Sequence, residues 1–525
     1  MNSSAARNLT CTLCVGLSLS IGWGIRGNFG HEYGAMIPGA LATLAAVLLS
    51  GRQDWMERCG SFAFFGALGW SFGGSMSYMQ VIAYTHSGHS PSVLYGFACL
   101  FVIGFLWAAM GGAGAGLPAF LDQKQLSEFF APLLVVFGAW LLQDFVVAHW
   151  FETDSDYRQR SLLYWYDTDW LGALVAIIAT LALAVIRRRL DWASSLIIHM
   201  AVGWWLGFLV LVNVLGWRMT PPRGDNWAGC LGMVGGMWLF FQRHNLQGLT
   251  FVSIITGLIG GFGFATANLL KLIGIASGWQ TNWHSLLEQT YGFINGVGLA
   301  VALLWAARNV PTHKDADAPR ARSWHETFAI GFVLLAITYL NLRQDPQIWV
   351  KAKAMPEVLL GLSAATWFNL AYLALAAAFL VTVAWHRTNP LPLLETSALA
   401  RGQLLYLVFL WWMVLGNFMR ALVQFAPQRL VTEGVIFLNA VFCTIGILLF
   451  PRPTQPESAS TAGSRFLSRA AAAGFAALVL SILVDWGIVR SIYGDRPAGY
   501  AGRHIRFGPN STASPERPSA VLPHP

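Results

Sequence analysis

Almost the whole chain divides into apolar stretches near twenty residues long, separated by short connections rich in charge, Pro or Gly. Hydrocarbon offers a backbone no water to bond, so a stretch of that length is restricted to a helix that satisfies its own N–H and C=O groups. Starts near residues 9, 33, 60, 93, 129, 170, 194, 227, 249, 289, 327, 364, 403, 433 and 467 predict an all-α polytopic integral membrane protein of about fifteen transmembrane helices. Composition agrees: 11% of residues are charged and 55% apolar, whereas a soluble domain carries about 25% charge. No stretch remains for a soluble domain.

The net charge of +8 is spread through short loops instead of gathering on one face, which argues against nucleic acid and for positive-inside bias. With the N-terminus inside, Arg7, Arg52, Arg58, Lys124, Arg187, Arg188, Arg189, Arg243, Arg308, Lys314, Arg320 and Arg322 fall inside. Arg26, Arg158, Arg160, Arg218 and Arg223 fall outside, and the bias weakens past residue 340. The first apolar run follows Arg7 and has no A-x-A-like cleavage site before Gly22, so it reads as a retained signal-anchor. The bacterial cytoplasmic (inner) membrane is the expected location. Cys11 and Cys14 have C-x-x-C spacing, but within an apolar run without His or acidic company they read as small buried residues.

Part of the chain is written twice. Ser87-Gly88, Tyr95-Gly96-Phe97 and Leu106-Trp107-Ala108-Ala109 return in order as Ser277-Gly278, Tyr291-Gly292-Phe293 and Leu304-Trp305-Ala306-Ala307. Gly22-Trp23 with Arg26-Gly27 precedes the first set, and Gly216-Trp217 with Arg223-Gly224 the second. Gly66, Gly69, Gly74 and Ser75 likewise match Gly257, Gly260, Ala265 and Thr266 as small-residue helix faces. This predicts a parallel internal repeat of about four helices per copy. The expected organisation is repeat 1 at 9–116, a connecting helix pair with an outer acidic and aromatic loop at 117–193, and repeat 2 at 194–308. A cytoplasmic linker at 309–326, a C-terminal helical block at 327–490 and a disordered tail at 491–525 follow.

Chemistry concentrates at Gly22-Trp-Gly-Ile-Arg-Gly-Asn-Phe-Gly-His-Glu-Tyr-Gly34. Its five glycines weaken a helix interior by roughly 1 kcal/mol each and enclose Arg26, Asn28, His31 and Glu32, so the segment reads either as a broken helix lining a cavity or as a surface loop. The second copy offers Arg223 and Asp225 at the equivalent place. An arginine fork suits a carboxylate, phosphate or sulfate, and a neighbouring acid can hold it or exchange protons. His86, His89, His284 and Glu288 flank the Ser-Gly loops as a proton relay or polar lining. Asp144 and Arg420 are isolated polar groups within spans, and Arg420 shares a helix face with Asn417 and Gln424, as Ser71 does with Ser75 and Tyr78. No spacing supports a metal, and no cofactor motif, Walker loop, nucleophile elbow or H-E-x-x-H occurs.

The leading expectation is a transporter or permease for a small polar, anionic solute, its site between the two repeats and open to the outer face. Arg26, Asn28, His31, Glu32, Arg223 and Asp225 would bind the solute. The alternative is an integral membrane transferase acting on a lipid-linked or saccharide substrate at the outer face. In either reading the partners are the solute or substrate and the lipid bilayer.

Overall fold

The computed structural model describes residues 3–30, 32–73, 76, 78–151, 169–217, 219, 226–312, 323–386, 388–389, 398–423, 426–450 and 464–494. The first half begins with α1 (Ser3–Arg26), α2 (Glu32–Leu49), α3 (Gln53–Glu57), α4 (Cys59–Ser71), α5 (Met79–Tyr84) and α6 (Ser90–Phe120). It continues through α7 (Gln123–Glu128), α8 (Phe130–Trp150), α9 (Asp169–Arg187) and α10 (Trp192–Gly207, extended by a π-helical turn to Val214). Next come α11 (Asn226–Arg243), α12 (Gln247–Ala276), α13 (Trp283–Asn309), α14 (Ser323–Gly331) and α15 (Thr338–Leu342). The chain closes with α16 (Asp345–Lys351), α17 (Ala364–His386), α18 (Ala398–Val423), α19 (Arg429–Leu449) and α20 (Ser464–Tyr493). A two-residue hairpin pairs Val358–Leu359 with Leu362–Ser363.

The protein is all-α, and every expected apolar stretch falls on a helix. Among the described residues, twelve helices are long and apolar enough to cross a membrane. Three of the expected fifteen fall short for physical reasons. The apolar part of α2 is only Tyr33–Leu49, α4 stops after 13 residues, and α11 is diluted by Asn226, four glycines, Gln242 and Arg243. Most of the acidic and aromatic loop, with Glu152, Asp154, Asp156 and Asp167, lies outside the described residues, as do most of the 309–326 linker and the tail from 495 onward.

Burial separates a core from a periphery: the spanning windows of α1 and α6 are 67% and 72% buried, those of α17 and α20 only 11% and 17%. In lipid, helices gain nothing from hiding apolar surface from each other, so close approach through small residues holds the core together. At the α6–α12 crossing a Cβ on Gly104 would meet the Gly260 carbonyl at 2.6 Å. At the α1–α13 crossing a Cβ on Gly296 would meet the Gly16 Cα and the Val15 carbonyl at 2.7 Å. Helix ends inside the bundle are satisfied by buried charge. Glu326 accepts from Gly60 N (2.5 Å), Ser61 N (3.0 Å) and Ser61 Oγ (2.8 Å) at the start of α4. Arg52 donates to the carbonyls of Ala307 (3.0 Å) and Val310 (2.7 Å) at the end of α13 while Asp54 grips its other edge. The six cysteines are free and buried, as expected for Cys11 and Cys14 in α1.

Candidate functional site: a buried Arg26–Glu288–Tyr78 centre

α1 ends on a tight turn, with Asn28 N donating to Ile25 O (3.0 Å) and Phe29 N to Arg26 O (2.9 Å). Gly30, at φ +95°, then reverses the chain into α2 in a conformation that side-chain-bearing residues avoid. The turn holds Arg26 at 1% exposure. A guanidinium so placed requires a counter-charge, because desolvating an unpaired ion costs several kcal/mol.

Glu288, in the second turn of α13, supplies it. Arg26 Nη1 donates to Glu288 Oε1 at 2.7 Å and to the Tyr78 hydroxyl at 2.9 Å. Tyr78 in turn donates to the same Oε1 at 2.6 Å, closing a three-membered network. The rings of Trp23, Trp107 and Tyr78 lie 4.9, 5.0 and 5.6 Å from the guanidinium carbon. Gly27 makes room for the carboxylate, since a Cβ there would stand 2.8 Å from Glu288 Oε2.

Tyr78 reaches the pair because the helix that should carry it is interrupted. α4 ends at Ser71 and α5 begins at Met79, while Gly73, Met76 and Tyr78 between them are buried. The expectation that Ser71, Ser75 and Tyr78 share one helix face is therefore corrected; Ser75 lies outside the described residues. Trp107 Nε1 donates to the Trp70 carbonyl at 2.7 Å, satisfying backbone in the last turn before the break. Irregular backbone is tolerated at membrane depth only where protein or water satisfies it in this way. Trp107 is the eighteenth residue of the 31-residue α6, roughly 25 Å along its axis. The glycine-rich segment is helical through Arg26, turns over Gly27–Gly30 and re-enters a helix at Glu32.

At the edge of the centre, His284 stands one turn before Glu288, with Nε2 3.7 Å from Oε1 and its side chain 38% exposed. Its ring stacks on Tyr78 at 6.2 Å. Lys271, from α12, lies within electrostatic reach of Glu288, His284 and His86. Partial burial, and then the charge of Lys271, pull the His86 imidazole below its ordinary value.

A second network grips the other side of the turn. Asn28 Nδ2 donates to Asn417 Oδ1 (2.6 Å), and Asn417 Nδ2 to Glu433 Oε2 (2.5 Å). Arg420 donates to Asp345 and to the Asn28 carbonyl, with a third bond to Asn341 O at 3.0 Å, and lies 4.1 Å from the Phe29 ring centre. The C-terminal helices therefore clamp the same turn that α1 and α13 share.

The structure brings together Arg26, Asn28, His284, Glu288 and Arg420 of the residues expected to matter. Glu32 opens α2, and His31, Arg223 and Asp225 lie outside the described residues. His86 sits in the turn before α6 with Nδ1 3.0 Å from Ile82 O, and His89 is bonded to Ser92 at 2.9 Å. Asp144 is exposed on the peripheral α8. Arg26 is not an open anion receptor, since Glu288 already occupies its Nη1 edge. Sequence reasoning missed Asp345, Asn341 and Glu433. The signal that could have found Asp345 is charge balance, because an arginine within an apolar run such as Arg420 needs an acid. Among the described residues, no group of three or more His, Cys, Asp or Glu could hold a metal ion.

These observations define an all-α membrane-type protein with a charged centre enclosed at an interrupted helix. The chain matches no protein-family model, no curated protein and no solved structure.

Proposed function

We propose that this protein is a carrier, a permease for a small anionic solute, working at the Arg26–Glu288–Tyr78 centre between two parallel repeats. The interrupted helix carries the reading: buried backbone breaks beside a paired charge are how membrane proteins build solute sites away from lipid. The repeat reading is consistent with two turns. Gly51 and Asn245 follow the second helices with φ of +79° and +58°, and Gly88 and Gly278 precede the fourth with φ of +76° and +79°. Left-handed residues are common after helices, so the ordered sequence matches remain the main support. The N-terminus inside, an approach from the outer face and a bacterial inner membrane complete the proposal, resting on the charge bias of the loops.

The centre joins α1 and the α4–α5 break of the first copy to α13 of the second. An anion would bind by taking over the place of the Glu288 carboxylate at Arg26. Enclosure of Arg26 by three rings favours a carrier over a transferase, which needs lateral access for a lipid-linked substrate.

The test is uptake of radiolabelled small anions into proteoliposomes by the full chain and by the Arg26→Gln/Glu288→Gln double variant. That variant removes both charges and leaves no buried ion unpaired. The expected result is uptake of at least one anion by the wild type and none by the variant. Equal uptake by both, or none by the wild type, overturns the proposal.

A further inference from the structure

We infer that the end of the bundle where α9, α10 and α11 meet is a docking site for an anionic phospholipid, its phosphate held by Arg188, Arg189 and Arg243 and its acyl chains lying along α9 and α11. The inference needs only the membrane reading of the fold and stands whether or not the Arg26 centre carries a solute.

The boundary between apolar and charged surface carries the argument. On α9 the exposed side chains of Ile178, Leu181 and Val185 lie at i, i+3 and i+7 and form one stripe, with exposed Ile186 beside it. The stripe stops at Arg187-Arg188-Arg189. On α11 exposed Leu239 is followed one turn later, on the same face, by exposed Arg243. α10 and α11 run antiparallel: a Cβ on Gly236 would strike the His199 carbonyl, and one on Gly207 the Ala228 carbonyl. Arg243 therefore stands at the end of the molecule where α9 hands over to α10. Two helices pass there from lipid-facing apolar surface to arginine, which is the level of lipid phosphates in a bilayer.

The arginines are fixed in place and their charge is unspent. α9 closes in a Schellman turn, with Arg188 N donating to Val185 O at 3.1 Å and Arg189 N to Ala184 O at 3.0 Å. Arg188 takes φ +53°, where glycine is favoured, and yet the position carries a guanidinium. Arg243 Nη1 lies 3.0 Å from His199 Nε2, and His199 Nδ1 lies 2.7 Å from Ser195 O. A guanidinium only donates and a carbonyl only accepts, so Nδ1 carries the proton, Nε2 accepts and the ring is neutral. His199 thus orients Arg243 without cancelling its charge. Among the described residues Arg188, Arg189 and Arg243 form no ion pair, whereas Arg187 pairs with Asp191 at 3.6 Å. α7, packed on the start of α10 through Phe129 and Trp192, adds Lys124, Asp122 and Glu128. Five Lys and Arg side chains therefore stand against three carboxylates, and Asp122 and Asp191 are already spent as helix caps. The surplus is positive, and a phosphodiester is the anion that a membrane supplies next to an apolar stripe.

The experiment titrates the full chain, in a non-ionic detergent, with dioleoyl phosphatidylglycerol or dioleoyl phosphatidylcholine. Melting temperature reports binding, and native mass spectrometry counts the lipid retained. Phosphatidylglycerol should raise the melting temperature and stay bound to the wild type, and phosphatidylcholine should do neither. Arg188→Gln/Arg189→Gln/Arg243→Gln should weaken phosphatidylglycerol binding by on the order of a hundredfold, about fivefold for each arginine. Arg188→Gly removes one charge while suiting the left-handed turn, so it should melt no lower than the wild type without lipid and still bind about fivefold more weakly. Lys351→Gln/Lys353→Gln, which removes two exposed cations elsewhere, should leave binding unchanged. Equal phosphatidylglycerol binding by the triple variant and the wild type overturns the site, as does an equal loss from Lys351→Gln/Lys353→Gln. Stabilisation by soluble glycerol 3-phosphate to the same extent as by phosphatidylglycerol overturns the lipid as occupant.

Discussion

α4 and α12 carry the same spacing of small residues, Gly66 and Gly69 in one and Gly257 and Gly260 in the other, and end differently. Gly66 and Gly69 in α4 pack against the Gly39 carbonyl and Gly114, and Gly257 and Gly260 in α12 pack against Ala109 and Gly104. Beyond that shared stretch α4 stops after 13 residues, whereas α12 runs for 30. The difference follows from residue type: the sequence Gly73-Gly74-Ser75 after α4 lowers helix propensity by about 1 kcal/mol per glycine relative to Ala, while Phe264-Ala265-Thr266 lies within the continuous α12. A Cβ at Gly73 would also strike the Trp107 ring. Two helices with the same small-residue spacing therefore differ in use: α12 runs on continuously against α6, while the end of α4 lets Tyr78 bring its hydroxyl to a buried ion pair.

The sharpest way to break this comparison is to strip the ion pair at the interrupted side. Glu288→Ala should cost about 3–5 kcal/mol by leaving a buried guanidinium uncompensated, and Arg26→Gln/Glu288→Gln should recover most of it, both read by thermal or denaturant unfolding in detergent. Equal stability of single and double variants would show that the pair is not the counter-charge of the break. Gly27→Ala should come next, at about 2 kcal/mol, because its methyl must push the carboxylate aside.

Trp107 and Trp305 provide a direct contrast. Trp107→Phe leaves the Trp70 carbonyl unbonded beside the break and should cost about 1–2 kcal/mol. Trp305→Phe, where the ring packs on Phe251, should cost less, and the reverse order would refute the distinction. The smallest effect concerns pH. His86 gives up its proton more readily in the folded chain, so the unfolded chain binds more protons as pH falls through the ordinary value of 6.5. Stability should therefore decline on acidification below that point and level off beneath the folded value. His86→Gln should flatten this part of the profile in unfolding scans.

The sequence made the helices legible because twenty apolar residues admit few other structures, and it made Arg26 legible because an arginine among glycines in an apolar run demands an explanation. It placed Glu288 beside the Ser-Gly loops and could not pair it with Arg26, since the two lie 262 positions apart and no local spacing links them. Asp345 and Glu433 stayed hidden for the same reason, since no local spacing links either to Arg420, Asn417 or Asn28. The break in α4 was hidden by its own glycines. At positions 66 and 69 they mark a helix-packing face, at 73 the turn past a helix end, and composition alone does not separate the two uses.

The distance along the chain between Arg26 and Glu288 sets an order of events during synthesis. α1 enters the membrane long before its counter-charge exists, since 262 positions at the usual pace of translation correspond to on the order of ten to fifty seconds. Arg26 is the last residue of α1, so throughout that interval it can extend into headgroups and water. It is drawn inward only when α13 arrives, and the turn is locked only when α18 and α19 follow. The ion pair thus cannot form before α13 has been made, and a chain interrupted before it would leave Arg26 without this counter-charge.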